Sequence, residues 1–558
     1  MKKKPQVIDF FCGAGGFSEG FRQQGFDIVM GIDNWLPAIQ THNLNHNLND
    51  SVKDILDFMS VKAINTLPNV EVLVGSPPCV LFSLSNKGGK ADKTLGIRLI
   101  ESFLRVVAVK KHQSSSNLVA WFMENVPNSK NYIRLTYTFR QLNLTKWAKE
   151  HGFNPNQVAL NGSINGRVLN TADFGVSQKR QRFVCGEIVS TGKFPDLTNF
   201  TDKASKCIGT IKELMPPPNS PCSNNTHTDP NYPSLKLKMN LITDNFYDSG
   251  IYESQWKNAQ SLKLNHPFMG KMSFPENEQN PSRTIMATQS ASTREALIYQ
   301  SEYKRKGNGE FRLPTIREIA TIMSFPYTYQ FSGGESTKWR QVGNAVCPFM
   351  SATLAKSVRL EMGLRAIPDS KIRFEAPDTK MEKIYNLNTF AKREFDTPPK
   401  KKANARFRRH PFKDGNMTIA LTNYHPIFSS KISKKWYSSI FFGSGKDFKV
   451  RVIPKSRFKK IGKLIEAHQK DLGIKFIKEF NRKFKWAIGI SGKFQDAYVR
   501  ENTHLSHEPS RLIDKIREFI LGLELVEKQM KIPEFVPEKE EVPIRQVMAM
   551  YAINRLVS

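Results

Sequence analysis

The sequence predicts an α/β fold built on a doubly wound, mainly parallel β-sheet, followed by a basic α+β domain in the C-terminal part. Short apolar, β-rich runs alternate with helical patterns over the first 130 residues, and strand and helix patterns resume beyond residue 410. Alternation of this kind is typical of βαβ crossovers, which give parallel strands covered by helices. A chain of 558 residues has room for roughly three or four domains.

The elements of the sheet are predicted in chain order. Residues 7–11 form a buried strand, a glycine-rich turn follows, and a helix runs from about Phe17 to Gln24. A second strand covers Asp27–Ile32, and further strands are predicted at 70–74 and 118–123. Ligands of such sheets bind at the carboxyl ends of the strands. The residues that follow each strand are therefore the candidate site residues.

Composition restricts the classes of partner. Lys and Arg number 83 against 51 Asp and Glu, a formal net charge of +32, which favours a polyanion and nucleic acid above others. No apolar run approaches the ~18 residues of a membrane span, and the N-terminal residues do not resemble an export signal. The six cysteines form no CxxC pair, so we expect a reducing compartment and no metal site. These features predict a cytoplasmic, nucleoid-associated protein of microbial origin.

Changes in composition and in secondary-structure pattern along the sequence suggest domain boundaries. We predict a first domain at 1–186, a loop-rich insertion at 187–313, a return of the chain to the first domain at 314–365, a basic linker at 366–410 and a basic domain at 411–558. The return begins with a helix signal at 314–318. Residues 401–500 alone hold 25 Lys and Arg against 6 Asp and Glu, so more than half of the excess charge lies there.

The first candidate site is the turn Gly13-Ala14-Gly15-Gly16 between strand and helix. Glycine lets backbone N–H groups approach a ligand closely, and Asp33, after the second strand, suits a ribose diol. The turn is tighter than GxGxxG, which favours an adenosine ligand without a pyrophosphate, notably S-adenosylmethionine. An ordinary glycine turn is the alternative.

A second group of candidates lies at later strand ends. Pro77 and Pro78 stiffen the chain before Cys79, whose thiolate is a candidate nucleophile, although lone cysteines are mostly buried hydrophobes. Glu124 ends the next strand and supplies an acid beside that thiol. Arg180 and Arg182 alternate on a predicted strand and would point the same way.

These motifs, in this order, resemble the DNA (cytosine-5) methyltransferases over roughly residues 5–365. The matching segments are Asp9–Ser18, Pro77-Pro78-Cys79, Glu124-Asn125-Val126, Gln178-x-Arg180-x-Arg182, 314–326 and Gln341–Val346. The resemblance implies the S-adenosylmethionine-dependent methyltransferase fold, with the insertion at 187–313 as a target-recognition domain.

The resemblance also implies a mechanism. Cys79 would attack carbon 6 of a target cytosine, Glu124 would protonate N3, Arg182 would bind O2, and Arg180 would support the site. Carbon 5 then takes the methyl group from S-adenosylmethionine. None of these atoms is reachable inside a stacked duplex, so the base must be flipped out.

The resemblance assigns a cofactor-binding set as well. Its members are Phe11, Gly13, Gly15, Gly16, Asp33, Asp54, Ile55, Pro78 and Asn344. Two positions depart from the family pattern: Val80 stands where many members carry Gln, and Asn34 separates Asp33 from Trp35, which weakens Trp35 as an adenine contact.

Double-stranded DNA is the expected substrate, bound by a monomer, and a cognate restriction endonuclease is a candidate partner. The candidate DNA contacts in the insertion are Arg283, Arg294, Lys304, Arg305 and Lys306. The alternatives are methylation of tRNA cytosine and a catalytically silent DNA-binding protein, against which the intact Cys79, Glu124 and Arg182 argue.

Residues 366–558 lie outside the resemblance, and three functions stay open for them. The first is an accessory DNA-binding domain, suggested by dense charge interleaved with Phe407, Trp436, Phe458 and Phe476. The second is a fused nuclease, which would make the chain bifunctional, with Asp496, His504, His507 and Glu508 as metal ligands. The third is a docking surface for a partner protein.

Overall fold

The computed structural model describes residues 4–78, 82, 93–201, 203–221, 223–265, 271–288, 290–377, 409–414, 417–427, 435–443, 449–500, 508–525, 528–539 and 541–558. The chain divides into two compact units, Met1–Arg393 and Glu394–Ser558. Within the described ranges, no helix combines the length and apolar character that a membrane crossing requires.

The first unit contains twelve described strands and ten described α-helices. The strands are β1 Gln6–Phe10, β2 Asp27–Ile32, β3 Val72–Gly75, β4 Ala120–Asn125, β5 Thr136–Thr138, β6 Val158–Asn161, β7 Gly166–Asn170, β8 Gln181–Ile188, β9 Thr226–Thr228, β10 Lys236–Lys238, β11 Tyr299–Gln300 and β12 Phe311–Arg312. The helices are α1 Gly16–Gln23, α2 Leu36–His46, α3 Val61–Asn65, α4 Thr94–His112, α5 Thr145–Glu150, α6 Ile208–Leu214, α7 Glu253–Leu264, α8 Ile316–Ile322, α9 Glu335–Asn344 and α10 Pro348–Glu361.

The central sheet has six strands in the order β2-β1-β3-β4-β8-β7. The first four are parallel, whereas β8 and β7 are antiparallel to their neighbours. The predicted α/β fold with a mainly parallel sheet is therefore confirmed. The predicted positions of the first four strands differ from the observed bounds by at most two residues at either end.

Alternate residues of the strands enter two hydrophobic cores. Val72 and Val74 of β3 lie in a core with α1, α8 and α10, whereas Leu73 lies in the core that contains α4. In β4, Phe122 and Trp121 divide between the same two cores. Successive side chains of a strand point to opposite faces, so helices on both sides bury every position of these short apolar runs.

The return of the chain to the sheet depends on close packing between α1 and α10. A Cβ atom added at Gly20 of α1 would lie 2.6 Å from the carbonyl oxygen of Pro348 and would collide with the backbone at Ala352. The predicted helix start near residue 315 is observed at α8, where Thr315 and Glu318 form a capping box. Glycine at position 20 thus allows residues of the return segment to cover the first helix.

One predicted element differs from the observed one. Arg180 and Arg182 were expected on one strand, but β8 begins at Gln181, so Arg180 precedes it. The amide of Arg180 donates to the Asn170 side chain, and the amide of Thr171 donates to the Arg180 carbonyl. The chain thus turns into β8 at Arg180 rather than continuing a strand through it.

The second unit has an antiparallel sheet in the order β13-β14-β15-β16, a short strand pair and four α-helices. Its elements are β13 Arg409–Asp414, β14 Met417–Thr422, β15 Tyr437–Phe442, β16 Lys449–Ile453, α11 Phe458–Lys483, α12 Phe494–Arg500, α13 Pro509–Leu521, β17 Gln529–Met530, β18 Val542–Pro543 and α14 Ile544–Val557. The buried helix α14 packs in one core with the sheet, α11 and α13. This is the α+β domain that the sequence predicts.

Candidate active site

The carboxyl ends of the parallel strands and the first residues of β8 meet at one edge of the central sheet. Because β8 is antiparallel to β4, it begins where β4 ends, with Asn125 opposite Phe183. This pairing places Arg182 beside the end of β4. The segments after β1, β2 and β3 reach the same edge, as the topology of a parallel sheet requires.

The turn after β1 is held by Asp33, which follows β2. One carboxylate oxygen of Asp33 accepts a hydrogen bond from the Gly13 amide at 3.0 Å, and the other accepts from the Trp35 amide at 2.9 Å. Burial raises the pKa of the Asp33 carboxyl, while these amides and Arg340 oppose the rise. Phe11 has a φ of 55°, a left-handed conformation that is costly for a residue with a side chain.

The segment after β3 is fixed to two neighbouring strands. The Ser76 amide donates to the carbonyl of Phe10, and the Asn125 side chain donates to the carbonyl of Pro77. Pro78 is the last residue described before a gap, and the expected nucleophile, Cys79, lies outside the described residues. The described chain therefore reaches the shared edge one residue before Cys79.

Glu124 and Arg182 form a largely buried ion pair at this edge. The Arg182 Nε and Glu124 Oε1 atoms are 2.8 Å apart, and the two side chains are 10% and 7% exposed. Burial raises the pKa of the Glu124 carboxyl above its ordinary value, and the charges of Arg182 and Arg180 partly oppose this rise. A carboxyl group in this environment holds its proton more tightly than one in water.

Arg180 connects the edge to the return segment. Its guanidinium donates to the carbonyls of Gly343 and Ala345, at 2.9 and 3.3 Å, and to the carbonyl of Ile285. Gly343 itself packs against the backbone at Met286 and leaves no room for a Cβ atom. Arg180 is thus a positioning group, because it fixes the chain around Asn344.

A single cavity joins these groups. The predicted site residues that line it are Phe11, Gly13, Asp33, Asp54, Ile55, Pro78, Glu124, Arg180, Arg182 and Asn344. Gly15 and Gly16 are not among its lining residues. A Cβ atom at Gly15 would lie 2.5 Å from the Tyr329 hydroxyl, and one at Gly16 would collide with the carbonyl of Val346, so both glycines permit close packing beneath the turn.

The structure adds lining residues that sequence reasoning missed or left open. The Arg340 guanidinium carbon lies 4.4 Å from the centroid of the Trp35 ring, and both residues line the cavity with Lys53 and Gln341. Trp35 thus lies at the cavity despite the intervening Asn34. Arg340 directly precedes the Gln341–Val346 motif, but only the fold brings it to Trp35.

A buried polar network lies beneath the glycine turn. Asp9 accepts hydrogen bonds from the Ser18 hydroxyl and amide, at 2.7 and 3.2 Å, and the same hydroxyl lies 2.9 Å from His42 Nε2. Tyr329 donates its hydroxyl hydrogen to the carbonyl of Ala14. Burial raises the pKa of Asp9 to about 7 and lowers the pKa of His42 well below its ordinary value. Both groups are therefore more readily neutral here than in water.

Two of the cations expected to contact DNA are engaged in ion pairs. Arg283 donates to Glu276 at 2.8 Å, and Arg305 donates to Asp248 at 2.6 Å. The described residues contain no group of three or more potential metal ligands. Of the residues considered for a nuclease site, His504 and His507 lie outside the described ranges.

Comparison with known proteins gives a consistent result. A family model described as "C-5 cytosine-specific DNA methylase" matches residues 5–359. The chain is 27% identical over 366 residues to the type II methyltransferase M.HgiDI of Herpetosiphon aurantiacus, which covers 63% of this chain and 94% of that protein. It is 28% identical over 366 residues to the type II methyltransferase M1.HphI of Haemophilus parahaemolyticus, with 63% and 86% covered. Among solved structures, the S. pombe Dnmt2 methyltransferase superposes with a TM-score of 0.42 at 16% identity, covering 65% of this chain and all of that one.

Asp9→Asn is expected to change the pH dependence of stability. The folded-state pKa of about 7 exceeds the ordinary value of 3.8, so the native state loses stability as pH rises from about 4 to about 7. The side-chain oxygen of an asparagine can accept the same hydrogen bonds from Ser18, but the amide does not titrate, so the variant does not lose stability over this pH range. Urea unfolding at several pH values should show the free energy of unfolding of the variant rising relative to wild type by up to about 4 kcal/mol over this interval. Asp27→Asn, at a half-exposed carboxylate that pairs with Lys4, is the control. If the free energy of unfolding of Asp9→Asn depended on pH in the same way as that of wild type, the expectation would be contradicted.

Proposed function

The chain belongs to the C-5 cytosine-specific DNA methylases, and on that premise we propose that it methylates carbon 5 of cytosine at specific sites in duplex DNA, with S-adenosylmethionine as the methyl donor. The observation that carries this proposal is the single cavity lined by both Asp33 and the Glu124–Arg182 pair. One end of that cavity suits a ribose, and the other suits a polar heterocycle. Proximity of the two ligands is what direct methyl transfer requires.

The lining residues fit the proposed methyl donor. Each carboxylate oxygen of Asp33 keeps a lone pair after accepting its backbone hydrogen bond, so the carboxylate remains able to accept from two ribose hydroxyls. Trp35 and Phe11 offer aromatic faces for adenine, and Gly13 lets the backbone approach the amino-acid end. S-adenosylmethionine supplies an electrophilic methyl group on a sulfonium.

The chemistry at cytosine is assigned to three side chains. The Cys79 thiolate would add to carbon 6 while Glu124 gives its proton to N3, and the electron pair of the carbon 5–carbon 6 double bond would move to carbon 5. Carbon 5 would bond to the methyl carbon as the bond from that carbon to the sulfonium sulfur breaks, and a neutral thioether would leave. Loss of the carbon 5 proton to solvent would restore the double bond and expel the thiolate, and N3 would return its proton to Glu124. Arg182 orients Glu124 and binds O2 of the base. The raised pKa of Glu124 supports its role as the acid.

The substrate must leave the helix before this chemistry begins. Stacked neighbours block the face of carbon 6, and pairing with guanine occupies N3, so the cytosine is flipped into the cavity at a cost of a few kcal/mol. The similar proteins M.HgiDI and M1.HphI are named type II methyltransferases. We infer that this chain also acts at a defined sequence, with a cognate restriction endonuclease as partner and a monomer as the active form.

Two steps identify the substrate. Bisulfite sequencing of DNA from an expressing host reports the methylated sequence, and labelled S-adenosylmethionine offered with duplex DNA or tRNA compares the two substrates. Label in tRNA alone would overturn the assignment to DNA. The sequence found in the first step provides the oligonucleotides for the trapping experiment.

Duplex DNA with 5-fluorocytosine at the target should trap the enzyme through Cys79. Fluorine on carbon 5 cannot leave as a cation, so elimination stops and the S–C6 bond persists. A denaturation-resistant complex is expected with wild type and with Cys207→Ser, the control at a partly exposed thiol that does not line the cavity. Mass spectrometry should locate the adduct on Cys79. A complex that still forms with Cys79→Ser would refute the covalent mechanism.

Glu124→Gln should lower kcat by about 10²–10⁴-fold, because an amide donates a hydrogen bond to N3 but transfers no proton. Single-turnover methylation measured with labelled methyl donor reports this rate. Glu71→Gln is the matched control, since that carboxylate accepts from the Gln6 amide at the opposite edge of the sheet. A rate for Glu124→Gln equal to that of the control would remove Glu124 from the mechanism.

Asp33→Asn should weaken S-adenosylmethionine binding by about 10–100-fold, in line with ~1.5–3 kcal/mol for hydrogen bonds to a charged group. Isothermal titration calorimetry measures the change without any DNA. Asp27→Asn, at the first residue of β2, the strand that Asp33 follows, should bind the cofactor as wild type does. Equal affinity of both variants would place the ribose elsewhere.

A further inference from the structure

The orientation of helix α11 in the second unit is settled by its aromatic contacts. The Phe476 ring lies 5.8 Å from Phe519 and 5.9 Å from Tyr551, and the Phe480 ring lies 5.8 Å from Tyr551. Phe476, Phe480 and Phe484 are all buried. The opposite side of this half of α11 therefore faces solvent.

That exposed side carries a group of cations, which we call the basic face. It consists of Lys475, Lys478 and Arg482, at positions i, i+3 and i+7, and of Lys485, which follows the helix; all four are exposed. None of the four forms an ion pair with any residue that the structure describes. Two acids lie among these cations in sequence, Asp471 one turn before Lys475 and Glu479 directly after Lys478, so four positive charges stand against two negative ones and the net charge is +2.

Four cations before and at the start of α11 differ in this respect. Arg457 and Lys460 both pair with Glu534, at 2.8 and 2.6 Å, and Lys449 and Arg451 both pair with Glu538. We call these four the paired cations. The two groups therefore differ in ion pairing: each paired cation contacts a carboxylate that it shares with one other cation, whereas no cation of the basic face contacts a carboxylate among the described residues.

We propose that the basic face binds the phosphate backbone of duplex DNA, as an accessory contact outside the catalytic unit. Seven residues of helix span about 10 Å, a distance over which a duplex presents several phosphates. Trp486, which is 40% exposed, borders the face with the Lys515 ammonium 5.5 Å from its ring centroid, so an aromatic surface adjoins the charges. The proposal goes beyond methyl transfer and does not depend on the assignment of Cys79 or Glu124.

Two other occupants fit the observations less well. A membrane surface would need an apolar side of α11 to insert, but the phenylalanines on that side are buried in the core of the unit. A protein interface would need an apolar centre, and the exposed large hydrophobic side chains on this half of α11 and the turn after it are Ile474 and Trp486. Duplex DNA also matches the substrate class of the family.

Salt-dependent binding of the full chain to a random-sequence duplex tests the proposal. Replacing the four cations of the basic face by glutamine should make the negative slope of log affinity against log salt shallower by about 3 to 4, at ~0.9 per lost phosphate contact. Replacing the four paired cations by glutamine removes the same charge and should leave the slope near wild type. A third variant, with Lys475, Lys478 and Lys485 changed to arginine, keeps the charge and should keep the slope.

The outcomes separate the explanations. Equal slopes for both glutamine variants would overturn the proposal, because the effect would then follow net charge or be absent. If the glutamine variant of the basic face no longer bound a protein partner while the salt dependence of its DNA binding stayed as in wild type, the proposal would also be overturned, in favour of protein docking. Circular dichroism and thermal melting establish that each variant is folded. If a glutamine variant does not fold, the salt dependence of the arginine variant is compared with that of wild type. Trapping with 5-fluorocytosine reports separately on the proposed catalytic function.

Discussion

The catalytic unit depends on one constraint, the antiparallel pairing of β8 with β4. That pairing makes β8 begin where β4 ends, and it sets Arg182 beside Glu124 at a largely buried position. A buried carboxylate without a partner is costly, and removing one member of such a pair leaves the other uncompensated. The ion pair therefore holds the Glu124 carboxyl in position while burial raises its pKa, and the neighbouring strand ends place the remaining groups around it.

Much of this edge could be predicted from the sequence, because a parallel sheet brings the residues after each strand together. Asp33, Pro78 and Glu124 each follow or end an apolar run, so their convergence needed only the βαβ alternation. The contact between Arg340 and Trp35 could not be predicted, since it joins distant parts of the chain and carries no local pattern. Similarly, periodicity marks positions as buried or exposed but does not show which buried polar groups share a hydrogen bond.

The second unit shows a different limit of sequence reasoning. Composition identifies the excess of Lys and Arg, and the strand and helix patterns beyond residue 410 predict an α+β domain. Which of these cations form ion pairs depends on Glu534 and Glu538, which lie far along the chain from the cations they contact. The sequence shows how many cations this part of the chain contains, but only the folded unit shows which of them are held in ion pairs.

The packing of α10 on Gly20 has a consequence for biosynthesis. The partner surface of the first helix includes Pro348 and Ala352, more than three hundred positions later in the chain. At ~5–20 residues per second of translation, about 20–60 s pass before that surface has been made. During this interval the first helix lacks the surface that covers it in the folded protein, so we expect the catalytic unit to become complete only late in synthesis.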